Sequence, residues 1–252
     1  MFQSLKITAY LAGSIALARP EDISLDGILA TQVLCRHYGE EFYFLPDPKE
    51  HLEFARLPLE MRGKPSPDIE GADTGFALWD SASRKRDESL WYWACSSAQI
   101  EVKGRYTQHW NKRFDSQAAL SDHIDFGDRV EKILIEQGQY KAYHMPLPTL
   151  VCDKAVWYVC GEMEAIARLL LPVSAIGKKR VQGNGAVLRW EVEPITEDRS
   201  EWLNGELLRP IPGPLVDMAQ ITPLNIQHIA FRPPQWHPLN QAMCVTKAVR
   251  NG

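Results

Sequence analysis

Two stretches of this chain combine residue types and spacings that could hold a polyanion. The first is Gly177, Lys178, Lys179, Arg180, Val181, Gln182, Gly183, Asn184 and Gly185. Its three glycines permit a tight backbone path that brings main-chain amides close to a phosphate chain, and two lysines and an arginine add charge beside it. The spacing matches neither GxxxxGK[ST] nor GxGxxG, so no nucleotide cofactor is expected. The same residues also describe an ordinary turn with a solvated basic run. The second stretch is residues 103–113, where Lys103, Arg105, His109, Lys112 and Arg113 could meet phosphates while Tyr106 and Trp110 stack on unpaired bases. Its alternative is a sheet with Tyr106 and Trp110 in the core and the cations on the wet side.

Catalytic chemistry has weaker support. Cleaving RNA without a metal needs a base for the 2′-hydroxyl and an acid for the leaving oxygen. Tyr140, Lys141, Tyr143 and His144 lie close together, with His109 and His123 as further candidates. Alternating Tyr and Lys is ordinary in a strand, however, and the expectation is no catalytic residue. His37, His51, His228 and His237 have no metal-ligand spacing, so neither a metal nor another cofactor is expected. Cys35, Cys95, Cys152, Cys160 and Cys244 are odd in number and contain no CxxC, which reads as buried thiols.

The elements that must position these groups follow from patterning. The chain has 252 residues, 45% hydrophobic and 24% charged, enough to bury a core without staples. A net charge of -4 excludes a protein that coats nucleic acid indiscriminately and confines any contact to local patches. No run approaches a membrane span, and the start MFQSLKITAY lacks the features of a signal peptide, so a cytoplasmic location without membrane contact is expected.

Leu5, Ile7, Ala9, Leu11, Ile15 and Leu17 alternate with polar residues as in a half-buried strand. Ser24 can cap a helix with Leu25, Ile28, Leu29 and Val33 on one stripe, ending near Tyr38-Gly39. Prolines and glycines break up residues 46–75, which reads as an excursion from the core. Residues 90–95 read as core strand, 99–110 as a strand or hairpin arm with one basic face, 122–137 as a short helix and 140–147 as a strand. Residues 155–160 form a buried strand, followed by a helix from Glu162 with Met163, Ile166, Ala167 and Leu170 inward. The glycine-rich loop comes next, then an alternating strand from Ala186. Residues 196–252 are rich in proline without a strong period and read as an extended tail, with Arg209-Pro210 and residues 232–236 structural.

Two β-α units in strand-rich sequence suit an α+β, ferredoxin-like (RRM-like) sheet, with a second, smaller such half as an extension of that reading. Several stretches resemble a known family: LKITAYLAGSIAL, SLDGILA, VKGRYTQHWNKRFD, WYVCGEMEAIARLL, IGKKRVQGNGAVLRWEVEP, LLRPIPG and FRPPQW. The chain resembles the RAMP superfamily of CRISPR-associated proteins, most closely the Cas-five-group subunit of type IV CRISPR effector complexes. The resemblance implies a RAMP fold with a glycine-rich loop between its last helix and last strand. It also implies a single unit over 1–252, with sub-regions 1–95, 96–120, 121–195 and 196–252.

What the resemblance implies about function is a non-catalytic subunit that binds the 5′ handle of a guide RNA and caps the complex. Its neighbours would be the backbone subunit and the large subunit, and it could contact target DNA near the flanking motif. The alternative is a metal-independent endoribonuclease that processes guide RNA; a third is a scaffold that touches only protein.

Overall fold

The computed structural model describes residues 1–17, 23–39, 54–64, 76–77, 90–112, 141–235 and 238–251. In chain order the first elements are β1 (Gln3–Leu11), β2 (Ser14–Ala16), α1 (Leu25–Tyr38), β3 (Phe54–Ala55), β4 (Met61–Gly63), β5 (Phe76–Ala77), β6 (Trp91–Trp93) and β7 (Gln99–Ile100). There follow β8 (Gly104–Lys112), β9 (Tyr143–Val151), β10 (Lys154–Gly161), α2 (Met163–Leu170) and β11 (Val187–Pro194). The last are β12 (Trp202–Leu203), β13 (Glu206–Leu207), β14 (Ile211–Pro212), β15 (Ile221–Ala230) and β16 (Gln241–Arg250). The protein is thus mixed α+β, with strands predominating.

The body is a four-stranded antiparallel sheet in the order β11-β1-β10-β7. Taken with the helices, the chain runs β1-α1-β7-β10-α2-β11, so the fourth strand lies beside the first and the third beside the second. Alternation in β1 explains its place: Leu5, Ile7 and Ala9 are fully buried on one face with Trp157 and Val159 of β10. Leu25 and Leu29 of α1 and Ile166, Leu169 and Leu170 of α2 complete that core. Each such fully buried large side chain contributes on the order of 2 kcal/mol. The helix expected after Ser24 ends at Tyr38, with Gly39 at φ 59° as the left-handed terminator.

The architecture differs from the sequence reading in four respects. The two β-α units contribute strands to one sheet instead of building one sheet each, because β1 pairs with both β10 and β11. The alternating run from Leu5 to Leu17 is two strands: Gly13, at φ 105°, bends the chain and sends β2 into a separate sheet, β2-β9-β8. Part of the proline-rich stretch returns to the core, where Leu57 and Leu59 are buried and Leu59 bridges to Gly161.

The fourth difference concerns the expected tail. Within 196–252 lies a five-stranded sheet, β12-β13-β16-β14 with β15 on β16. Its own core comprises Tyr92, Leu207, Ile211, Ile221, Phe231, Cys244, Val245 and Ala248. Its pattern was hidden because β15 is exposed at Thr222, Pro223 and Leu224 alike, so no period of two emerges.

Arg209 fastens this sheet to the body, donating to the carbonyls of Trp93, Cys95 (2.9 Å) and Phe231 (2.6 Å). Arg62 adds a second clasp, to Glu201 (2.8 Å), Glu60 (3.0 Å) and Asp198. Trp91 and Trp93 are buried as core strand, and none of the five cysteines is in a disulfide. Cys95, Cys152 and Cys244 are buried while Cys35 and Cys160 are half-buried; burial pushes the Cys95 thiol up to about 12. The helix expected over 122–137 and residue Trp236 lie outside the described residues.

Candidate nucleic-acid interface

The glycine-rich loop follows α2 and closes against β2. The Gly185 amide donates to the Ser14 carbonyl and the Lys178 amide to that of Ala16, both at 2.8 Å. This geometry demands glycine twice. Gly185 has φ 68°, and a Cβ there would overlap the Ile176 carbonyl oxygen; Gly177 has φ 85°, and its Cβ would lie 2.8 Å from the Ala16 carbonyl oxygen. Gly183 also has positive φ, 86°, but open space around it.

The glycines thus act differently from the sequence expectation. The amides of Lys178 and Gly185 are committed to β2 carbonyls because the loop docks on that strand, and the Gly183 amide closes the loop's own turn on the Arg180 carbonyl, instead of lying bare for a phosphate. Between these anchors Lys179 sits at φ 55° and begins a single 3-10 turn, Arg180–Gln182. Lys178, Arg180 and Val181 are exposed on it.

The second predicted stretch is the hairpin β8-β9, whose register pairs Gly104 with Val151 through to Lys112 with Tyr143. Alternation places Tyr106, Gln108, Trp110 and Lys112 on one face and Arg105, Thr107, His109 and Asn111 on the other. Tyr106 is 41% exposed and Trp110 half-buried, so the alternative that made both of them core is set aside. Only the hairpin base is buried, at Leu147, Thr149 and Leu150.

The two stretches meet. The Lys179 ammonium lies 2.8 Å from the centre of the Trp110 ring, and the Asn184 side-chain amide donates to Gln108 Oε1 at 3.3 Å. A cation over an indole face is stabilised by the ring quadrupole and also blocks one side of that ring. Trp110 lies 4.6 Å, centre to centre, from Tyr143, and Met145 is paired across from it. The result is a ridge on one face of β8, carrying Tyr106, Trp110 and Lys112, that joins the loop where Lys179 covers Trp110; the flanking Lys178 and Arg180 are exposed.

Other predicted residues take different roles. Asn184 and Gly185 are buried, so Asn184 ties the loop to the hairpin. Lys103 is bound to Asp153, whose hydrogen bond holds the ammonium pKa up. Arg105 and His109 face away from Trp110. The His109 ring stacks on His144 at 4.3 Å with 9° between planes, and His144 Nδ1 meets Asn111 Oδ1. Arg113, His123 and Tyr140 lie outside the described residues.

Sequence reading missed a cleft of about 440 Å³ beside the loop, where Lys178 faces Ser24 and Asp26 of the α1 start and Arg209, His228 and Arg232 of the second sheet. No sequence spacing signals it, because its walls lie up to some two hundred residues apart. Asp26 is 2% exposed, and burial raises its carboxyl pKa against the opposing Arg209 charge. Ser24 caps α1 in position but not in bonding: its hydroxyl oxygen accepts from Gln235 Nε2 at 3.0 Å.

Among the described residues no group of three or more His, Cys, Asp or Glu side chains could hold a metal ion, and no helix is long and apolar enough to cross a membrane. A family model described as CRISPR type IV associated protein Csf3 matches residues 77–247. No curated protein matches the chain.

Proposed function

The chain belongs to the Csf3 family of CRISPR type IV associated proteins, and from that premise we propose that it holds the guide RNA as a non-catalytic subunit of a type IV CRISPR ribonucleoprotein. The site is the ridge made by the loop and the hairpin, and its ligand the single-stranded 5′ handle of the guide. One observation carries this reading: the Lys179 ammonium seated on the Trp110 ring joins a basic loop to an aromatic arm, so that phosphates and bases of one strand find partners side by side. The strand order β11-β1-β10-β7 with both helices in one core supports a ferredoxin-like RAMP body beneath it. In this reading the protein caps the complex, contacts the backbone and large subunits, and lies near the flanking motif of the DNA target.

The endoribonuclease reading draws on the His109–His144 pair. A base and an acid must flank the scissile phosphate, whereas these rings are stacked 4.3 Å apart with no room for a phosphate between them. The non-catalytic role is therefore preferred. The test is co-expression with the neighbouring subunits and measurement of co-purifying RNA. Replacing Lys178, Lys179 and Arg180 by alanine should weaken RNA retention at least tenfold at low salt and reduce the salt slope by about 2, from roughly 0.7 per phosphate on a single strand. Unchanged retention favours a protein-only scaffold. Cleavage of repeat RNA in chelator, abolished by His144→Ala, would establish the nuclease instead.

A further inference from the structure

The cleft beside the loop has the composition of a nucleotide site. Its volume, about 440 Å³, lies within the range of small-ligand pockets. Three cations belong to it: Lys178 at the loop, and the guanidiniums of Arg209 and Arg232, each 4% exposed in its walls. The single acid in its lining is Asp26, whose Oδ1 already accepts from the Gly27 amide at 2.8 Å. The cleft is therefore net positive and suits an anion.

Its cations are not arranged as a bare phosphate clamp. Arg209 is engaged with main-chain carbonyls and lies 4.4 Å from the Tyr92 ring centre; Arg232 donates to Asn240 at 2.7 Å and lies 4.2 Å from the Trp91 ring centre. They supply field rather than free donors. The lining carries mixed hydrogen-bonding groups, the His228 imidazole, Ser97 and the Gln235 and Gln241 side-chain amides, whose nitrogens donate to Ser24 Oγ and the Gln235 carbonyl, both at 3.0 Å. Mixed donors and acceptors are what the edge of a base requires, as opposed to a phosphate alone. The cleft also adjoins the ridge directly, since Lys178 lines it while the next residue, Lys179, covers Trp110.

We propose that this cleft takes one unstacked nucleotide of the RNA strand held on the loop and hairpin, its phosphate toward Lys178 and its base toward His228 and Gln235. The inference rests on the RNA-holding role and adds base selection to it, at a place the strand enters after crossing the loop.

The experiment uses the full chain and repeat-derived single-stranded RNA in which an abasic site is walked one position at a time. Loss of one seated base is expected to weaken binding about tenfold at a single position, the scale of one stacking or edge contact. His228→Trp, which fills the cleft from an exposed position, should abolish that positional sensitivity while the loop retains the RNA. Gln235→Ala should blunt it at the same position, with thermal unfolding showing that both variants keep the fold. A flat abasic profile on RNA that still binds overturns the cleft and leaves the RNA-holding role intact. Failure of the wild-type chain to bind any RNA overturns both. A mononucleotide that occupies the cleft without competing with RNA assigns it to a free ligand and also overturns the proposal.

Discussion

On the open face of the body sheet, Lys6 meets Glu193 at 2.9 Å, Tyr10 donates to Glu191 at 2.7 Å, and Arg189 reaches Glu191 at 3.4 Å while lying over the Tyr10 ring. On the loop, Lys178, Lys179 and Arg180 form no ion pair among the described residues, Lys178 sharing only a cleft with the buried Asp26, and Lys179 meets an aromatic ring instead. Both regions offer cations and aromatics on a framework of strands. The difference is neutralisation: β11 places Glu193 opposite Lys6, the one basic residue of β1, and Glu191 against its own Arg189, whereas the loop cations have no such carboxylate among the described residues. A chain with net charge -4 can therefore still hold a polyanion, provided its uncompensated charge is local.

The contrast breaks most severely if the loop loses its path. Gly185→Ala should cost about 3 kcal/mol or more, combining left-handed strain with overlap on the Ile176 carbonyl, and should abolish RNA retention. Gly183→Ala, strained at φ 86° but with open space around it, should cost only about 1 kcal/mol and leave most retention. Chemical denaturation and filter binding of the two variants check both statements; equal effects would mean that docking on β2 does not shape the loop.

A smaller effect is expected at the aromatic arm. Trp110→Ala should lose about 1 to 2 kcal/mol of RNA affinity, in the range measured for single stacked bases, while Lys6→Ala on the open face should change it less than twofold. The titration uses the same RNA for both.

The smallest effect comes from unmasking the open face. Glu191→Gln with Glu193→Gln should add weak RNA binding whose salt slope steepens by about 1.4 at most, from two further phosphates. Acid should mimic part of this. Glu191 is held below the ordinary carboxylate range, first by the Tyr10 hydroxyl, against an opposing cost of desolvation and with further help from Arg189. Its contribution to stability is present above roughly pH 4 and is lost as pH falls through its lowered value. Open-face binding that appears only on acidification would sharpen the distinction, and binding equally strong at neutral pH would erase it.

The body was largely legible because its burial is one-sided. Leu5, Ile7 and Ala9 announce β1, and Leu25 with Leu29 announce α1, since a half-buried element must repeat with its own period. The break at Gly13 was not legible: Ile15 and Leu17 continue the same alternation in a different sheet, so the period carries no trace of the bend. The C-terminal sheet escaped notice for the opposite reason, as Leu224, Ile226 and Met243 are exposed apolar residues on strands that bury little. In the site, residue types announced the loop and the arm, but their meeting through Lys179 and Trp110 depends on how β2 joins β9. The cleft depends on tertiary placement alone.

The position of β1 also governs when this protein can act. Lys6 pairs across the sheet with Glu193, and Ser4 with Cys160, so the first strand waits for partners that the ribosome delivers more than 150 residues later. Such distant pairing makes folding slow and leaves both edges of β1 open on the nascent chain. The loop acquires its shape only when β2, the direct continuation of β1, is in place. On the proposed role, RNA capture follows synthesis of nearly the whole body, which would keep an unfinished subunit out of a complex.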